Sequence, residues 1–245
     1  AHLIAPISYT IAQSVHEFYP SAKEKMRVIP CGIAKDLFSP NDGSLSEPSS
    51  TGIDPEELKP YILTASTLEP RKNLSRLLES FSALKRDSGL PHRLVIVGRE
   101  GWAKNLRPLI RQLGLEDSDV TFTGFVSDRE LVRLYRGASV YVSIPIYEGF
   151  GLTPLEAMAC GTPVVASAIP VFGEVLDGAA LLAKPENRSA VKHAIHRVLT
   201  DERLRTTLVA RGRAQASKFR WEDSARRMLS LLTSSDRPDV ESLGK

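Results

Sequence analysis

Two glutamates separated by seven residues, Glu148 and Glu156, are the side chains of this sequence best placed to do chemistry. Glu148 directly precedes a turn that contains Gly149 and Gly151. A glycine has no Cβ atom, so the backbone amides of this turn can approach a ligand closely. A lone glutamate in a turn is usually a solvated charge. The combination of two carboxylates around one small volume is what indicates a binding site.

A helix is predicted just after the turn, because Thr153 is a good N-cap residue and Pro154 suits the first helical position. The open amides and the positive dipole end of such a helix favour an anion, typically a phosphate. Glu156 has a second interpretation, since Thr153-x-x-Glu156 also matches a capping box. The local pattern does not separate capping from ligand binding for Glu156.

Two adjacent cations, Arg71 and Lys72, occupy the loop EPRKN at residues 69–73, between a predicted strand and a predicted helix that Asn73 would cap. Cations at a helix N-terminus oppose the helix dipole, so a merely solvated turn explains them poorly. Their position favours binding of an anion.

Apolar stretches alternate with helical patterns, which predicts an α/β fold with a Rossmann-like, doubly wound parallel sheet followed by C-terminal helices. The predicted strands are residues 61–65, 93–97, 120–123, 139–144, 163–167 and 179–183. Such sheets bind ligands beyond the carboxyl ends of their strands. The loops after the first four strands should therefore share one edge, and they carry Arg71 and Lys72, Gly98, Val126 and Ser127, and residues 148–151.

The run EGFGLTPLEAMACGTPVVAS at residues 148–167 resembles the signature of the retaining, nucleotide-sugar-dependent glycosyltransferases of family four. The resemblance implies the GT-B architecture, in which two Rossmann-like domains face each other across a cleft. It also implies that this chain is the C-terminal, donor-binding half. The stretches EPRKN, LVIVG and GFVSDRELVRLYRGA extend the similarity to bacterial mannosyltransferases that act on surface polysaccharides or glycolipids.

The resemblance also assigns roles to individual residues. Lys72 takes the position of a lysine that contacts the donor diphosphate, Glu148 that of a glutamate at the donor sugar, and Glu156 that of a glutamate that binds the ribose hydroxyls. Many members carry an arginine just after the first strand, where this sequence has Ser66 and Thr67. Either Arg71 substitutes or one cation is absent. The further donor-binding residues are Gly149, Phe150, Gly151 and Leu152 in the turn, and Val126 and Ser127 in the base pocket.

The implied reaction is transfer of a hexose, with retention at the anomeric carbon, to a glycan or lipid-linked acceptor. GDP-mannose is the expected donor, and a UDP- or dTDP-sugar stays open because no residue reads the base unambiguously. No metal or other cofactor is expected. Residues 167–175 depart from the family pattern, and Phe172-Gly173 is expected to alter a sugar-side loop. The alternatives are a non-catalytic nucleotide-sugar-binding module and one subunit of a split glycosyltransferase.

The domain organisation is predicted by the same resemblance. Residues 1–35 would be the tail of an N-terminal GT-B domain and its linker, with strands near residues 3–7 and 25–29 and a helix between them that Ser8 or Thr10 caps. The remaining segments are a flexible loop at 36–60, the donor-binding domain at 61–218, a crossover helix at 219–233 and a disordered tail at 234–245. The acceptor-side groups would belong to the missing N-terminal domain, so we expect donor binding with little turnover.

Composition excludes several other classes of protein. A net charge of +3 in 245 residues does not indicate nucleic-acid binding, and two cysteines give neither a disulfide framework nor metal-ligand spacing. A dinucleotide-binding G-x-G-x-x-G motif is also excluded, because Pro154 stands at the third glycine position.

We expect a cytoplasmic protein. The arginines between residues 203 and 227 leave a peripheral contact with an anionic membrane open, although the interleaved acidic residues favour a solvated helix face.

Overall fold

A computed structural model describes residues 2–40, 52–99 and 106–233 of the chain. Six strands form its single described sheet: β1 Tyr61–Ala65, β2 Arg93–Val97, β3 Val120–Gly124, β4 Val140–Ser143, β5 Val164–Ser167 and β6 Leu181–Ala183. The helices are α1 Tyr9–Phe18, α2 Pro55–Leu58, α3 Leu74–Ser88, α4 Leu106–Gln112, α5 Asp128–Gly137, α6 Leu152–Ala159, α7 Pro170–Leu176, α8 Arg188–Thr200, α9 Glu202–Ala216 and α10 Trp221–Thr233. Two 3₁₀ turns, Pro20–Lys25 and Pro70–Lys72, complete the regular elements.

The strands pair in the order β3-β2-β1-β4-β5-β6, and every pair is parallel. Chain order reverses between β1 and β4, which makes the gap between these two strands a topological switch point. Leu63 of β1 aligns with Val95 on one side and with Tyr141 on the other. The prediction of a Rossmann-like, doubly wound sheet is confirmed.

Both faces of the sheet are covered, which explains why its strands read as continuous apolar runs. Successive residues of β1 enter different cores: Ile62 joins the cluster that includes Phe81 of α3, and Leu63 joins the cluster that includes Tyr135 of α5. All four of these side chains are fully buried. Each such side chain stabilises the fold by about 1.5–3 kcal/mol, so the strand ends are held firmly where the loops begin.

Helix caps agree with the sequence at α5 and differ at α3 and α6. Ser127 and Glu130 form the predicted capping box. Asn73 precedes α3 with a left-handed φ of 60° and makes no side-chain cap, because its amide donates to the carbonyl of Pro185 at 2.9 Å. The prediction of Thr153 as N-cap of α6 is wrong. That helix begins at Leu152, and Gly151 is its cap residue.

The N-terminal segment contains the predicted helix but not the predicted strands. Ser8 caps α1, as expected, by accepting a hydrogen bond from the amide of Ile11. The strands expected near residues 3–7 and 25–29 reduce to a single bridge between Ile4 and Met26. A strand needs a neighbour along its length, and in the described chain these two short segments pair with no other strand.

The predicted loop at 36–60 is partly folded. Residues 54–58 pack against the domain, because Asp54 caps α2 and the side chains of Pro55 and Leu58 are buried. Residues 41–51 and the predicted tail at 234–245 lie outside the described residues. The predicted crossover segment forms α10, and the domain boundaries themselves stay predictions. None of the helices described is both long and apolar enough to cross a membrane.

Candidate functional site

The two cations and the first glutamate meet at the carboxyl edge of the sheet. Nζ of Lys72 lies 2.5 Å from Oε2 of Glu148, and Nη1 of Arg71 lies 3.2 Å from the same oxygen. The loops that carry them are tied together, because the amide of Ile146 donates to the carbonyl of Arg71 at 2.8 Å. β1 and β4 are neighbouring parallel strands, so this contact across 76 residues follows directly from sheet order.

The two cations differ in their surroundings. The side chains of Lys72 and Glu148 are only 18% and 19% exposed, whereas Arg71 is 44% exposed and also pairs with Glu69 at 2.9 Å. A poorly exposed ion pair is little screened by water. Lys72 is therefore the better-positioned cation, and Arg71 is the more exposed one.

The glycine turn is built for close packing of its backbone. Gly151 has a φ of 109°, and a Cβ atom at this position would lie 2.7 Å from Cε1 of Phe172. The side chain of Phe150 is buried and packs edge-to-face on Phe219, with ring centroids 5.5 Å apart. Phe172 is buried against Gly151, and the expectation that Phe172-Gly173 alters a sugar-side loop stays a prediction.

Glu156 is half-buried one helical turn into α6, and its carboxylate accepts a hydrogen bond from the Tyr135 hydroxyl at 3.1 Å. The capping-box interpretation is wrong, because no side chain caps this helix. Burial raises the pKa of Glu156 to about 7, and the Tyr135 hydrogen bond only partly offsets this rise. A carboxylate this poorly compensated is typical of a ligand site.

Tyr141 of β4 links the two glutamates electrostatically. Its hydroxyl donates to the carbonyl of Ala65 at 3.2 Å. Burial raises the pKa of Tyr141, and the charges of both Glu156 and Glu148 raise it further. Both carboxylates therefore lie within electrostatic reach of one hydroxyl, as the seven-residue spacing around a turn predicts.

The structure offers less for the predicted base pocket. Val126 is buried in the core, and the Ser127 hydroxyl is engaged with Glu130 at 2.9 Å. The sequence analysis missed the neighbouring Phe125, which is 63% exposed and has the Arg99 guanidinium 4.6 Å from its ring centroid. Phe125 directly follows β3, and Arg99 lies in the loop after β2. Both could have been found from their positions just after predicted strands.

Ser66 is a second residue that the sequence analysis did not assign. It directly follows β1 and lies against Gly98, where a Cβ atom would overlap the Ser66 carbonyl oxygen. Its Oγ atom is buried and has no hydrogen-bond partner among the residues described. A buried hydroxyl normally has a partner, so Ser66 is a candidate donor to a ligand at this edge.

No group of three or more His, Cys, Asp or Glu side chains within the described ranges is arranged to hold a metal ion. Metal independence stays a prediction of the family resemblance. The roles of Glu148, Lys72 and Arg71, and of the donor-binding residues, also stay predictions, since contact geometry alone does not test them.

Comparison with known proteins agrees with this geometry. The family described as "Glycosyl transferases group 1" matches residues 49–215. O-antigen chain mannosyltransferase B of Escherichia coli is 37% identical over 163 residues, which cover 66% of this chain and 43% of that protein. O-antigen chain mannosyltransferase RfbU of Salmonella typhimurium is 35% identical over 196 residues, which cover 80% of this chain and 50% of that protein. The chain thus spans about half the length of these curated relatives.

A solved structure shows the same architecture. Sucrose-phosphate synthase from Thermosynechococcus elongatus superimposes with a TM-score of 0.79 at 28% identity, over 95% of this chain and 58% of that one. The sheet order, the site at its carboxyl edge and the sequence relatives agree with one another. Because the family match covers more than half of the chain, this protein belongs to the glycosyl transferases group 1 family.

Proposed function

We propose that this chain is the donor-binding half of a retaining hexosyltransferase that uses a nucleotide diphosphate sugar. One observation carries the proposal: Lys72 and Arg71 converge on Glu148 at the switch point of a parallel sheet, beside a glycine turn that leads into α6. The cations suit a diphosphate, and the carboxylate suits the hydroxyls and the developing positive charge of a sugar.

In this proposal the donor displaces Glu148 from the cations. The carboxylate satisfies Lys72 and Arg71 in the ligand-free chain. An incoming diphosphate carries more negative charge than one carboxylate and competes for the same donors. Glu148 is then released towards the sugar, which the turn holds through backbone amides at residues 150–152.

The chemical step follows from that arrangement. The bond between the anomeric carbon and the diphosphate oxygen breaks, and its electron pair stays on that oxygen, where Lys72 and Arg71 stabilise the charge. An acceptor hydroxyl oxygen forms the new bond on the same face of the sugar, and its proton leaves with the departing phosphate. The buried hydroxyl of Ser66 is placed to supply a further hydrogen bond to the phosphates.

Glu156 holds the other end of the donor in this proposal. An ionised carboxylate accepts hydrogen bonds from two vicinal hydroxyls, as a ribose presents them. Glu156 already shares one oxygen with Tyr135. Exposed Phe125, with Arg99 beside it, adds a planar surface near the base-pocket residues Val126 and Ser127.

GDP-mannose is the proposed donor, because the two curated relatives described above are O-antigen chain mannosyltransferases by name. The acceptor would be a glycan or a lipid-linked glycan, and no metal ion would be required. Free Cys31 and Cys160 fit a reducing, cytoplasmic setting. Arg226 and Arg227 of the exposed α10 surface would allow peripheral contact with an anionic membrane.

A second candidate is a nucleotide-sugar-binding module or one subunit of a split transferase. The same geometry supports it, since Lys72 and Arg71 would bind a diphosphate whether or not transfer follows. Both candidates predict donor binding. Robust transfer by these 245 residues without another domain would rule out the second candidate and our expectation of little turnover.

The test is calorimetric titration of the chain with GDP, UDP, dTDP and GMP. We expect selective binding of GDP, weakened about tenfold or more in Lys72→Ala because one charge-assisted hydrogen bond is lost. Lys72→Ala should leave the affinity for GMP unchanged, whereas Glu156→Ala should lower the affinities for both GDP and GMP. Lys184→Ala, an exposed lysine after β6, is the matched control. Binding of GDP that is insensitive to both substitutions would contradict the proposed site.

A further inference from the structure

The N-terminus of α1 is capped by a side chain from a distant helix. Glu174 of α7 accepts hydrogen bonds from the amides of Tyr9 and Thr10, at 2.8 and 2.9 Å, and from the Thr10 hydroxyl at 2.7 Å. The first amides of a helix have no partner within it, and a carboxylate there also complements the helix dipole. Glu174 thus holds α1 at one place and in one orientation.

The cap residue of α1 in turn holds the glycine turn. The Ser8 hydroxyl accepts from the amide of Ile11 at 3.1 Å and donates to the carbonyl of Gly149 at 3.0 Å. A Cβ atom on Gly149 would lie 3.4 Å from Cδ1 of Ile7, so the two segments are in close contact. The peptide between Gly149 and Phe150 is therefore anchored to the start of α1.

α7 supports the other end of the same turn. Phe172 packs against Gly151 so closely that a Cβ atom on that glycine would overlap its ring. α7 thus contacts the turn directly through Phe172 and indirectly through Glu174, α1 and Ser8. The turn is held at Gly149 and at Gly151, and Glu174 joins the two supports.

We propose that Glu174 is a positioning residue that acts through α1 and Ser8 to hold the turn between Glu148 and Leu152 in its ligand-binding form. The inference rests on the proposed function for its ligand, since that turn is where the donor sugar and its distal phosphate would bind. In the proposed function, the turn does not contact the nucleoside end of the donor, which Glu156 would bind. Loss of Glu174 should therefore affect one end of the donor only.

The experiment compares the affinities of the chain for GDP-mannose and for GMP. In Glu174→Gln and in Ser8→Ala we expect GDP-mannose to bind about tenfold more weakly and GMP to change by less than about twofold. The first variant weakens the charge-assisted hydrogen bonds that hold α1, and the second removes the hydrogen bond from Ser8 to the turn. Glu186→Gln, which alters an exposed glutamate before α8, is the matched control. If Glu174 only capped α1, the ratio of the GDP-mannose and GMP affinities would be unchanged in the folded variant.

Amide hydrogen exchange over residues 147–155 gives a readout that needs no ligand. We expect exchange there to accelerate about tenfold in Glu174→Gln, because the turn opens locally more often. If the wild-type chain bound neither probe, the proposed function would fail, and hydrogen exchange would still decide the positioning role. Unchanged exchange, or equal weakening of both ligands, would overturn it. Should Glu174→Gln not fold, Ser8→Ala decides by the same criteria.

Discussion

At the scale of single residues, the site keeps a carboxyl group where the fold would be better without its charge. Glu156 is half-buried, has one hydrogen-bond donor in Tyr135, and has a pKa raised by burial to about 7. A fold does not need such a group, and a neutral amide of the same shape would be less costly. A ligand that donates two hydroxyls to it would explain its presence.

We predict that Glu156→Gln stabilises the protein in a pH-dependent way. Burial raises the pKa of Glu156 from its usual 4.5 to about 7 in the folded chain, so the protonated form that suits the fold is lost as pH rises through this window. At pH 8 the substitution should raise the free energy of unfolding by about 2 kcal/mol, and at pH 4 by almost nothing. Thermal melts at both pH values measure this, and a pH-independent difference would contradict it.

The same residue should make nucleotide binding depend on pH in the opposite sense. Ribose hydroxyls need an ionised acceptor, so GDP affinity of the wild-type chain should rise as pH increases through about 7. Titrations at several pH values would show this rise, and Glu156→Gln should bind weakly at all of them.

At the scale of elements, the start of α6 depends on the helix packed against it. Gly151 caps α6 with a φ of 109° and lies against Phe172 of α7. Few residues other than glycine adopt this backbone conformation, and none has room here for a side chain. The shape of the turn thus results jointly from α6 and α7.

We predict that Gly151→Ala destabilises the protein by about 2–3 kcal/mol, from left-handed strain and the clash with Phe172. Gly173→Ala is the control, because it lies in α7 with nothing within 4 Å of the new methyl group. That control should be neutral or stabilising by up to about 1 kcal/mol. Denaturant unfolding of both variants measures the difference, and equal stabilities would show that the contact is not limiting.

At the scale of the whole molecule, the last described helix closes on the segment that enters the sheet domain. Ile33 bridges to Arg220, and the Ser224 hydroxyl donates to the carbonyl of Pro30 at 2.6 Å. Gly32 lies so close to α10 that a Cβ atom would overlap the backbone of Arg220 and Trp221. These contacts tie the N-terminal segment to the far end of the chain.

We predict that Gly32→Ala destabilises the protein by about 2–3 kcal/mol, because backbone atoms on both sides must separate to admit the methyl group. Ser224→Ala removes only the hydrogen bond and should cost about 1 kcal/mol. Limited proteolysis should cut residues 2–33 of the Gly32→Ala variant earlier than the rest. Unchanged melting and cleavage would mean that this junction does not contribute to stability.

Local patterns in the sequence were enough for the sheet and for the loops at its edge. β1 and β2 have the predicted bounds, because short, wholly apolar runs between turn residues allow few other structures. The Ser127–Glu130 capping box was also readable, since both partners lie within one helical turn. Parallel order then brought Arg71 and Lys72 to Glu148, as expected for loops at the same edge.

Only the tertiary structure decided how the glycine turn between Glu148 and Leu152 is supported. Ser8 reaches Gly149 across 141 residues, and Glu174 reaches Tyr9 across 165. No periodicity or motif records such contacts, because they depend on how two helices pack. The expected strands at residues 3–7 and 25–29 failed for the same reason, since a strand exists only where another lies beside it. The sequence by itself determined which chemical groups stand at the sheet edge, and packing determined their partners and the pKa of Glu156.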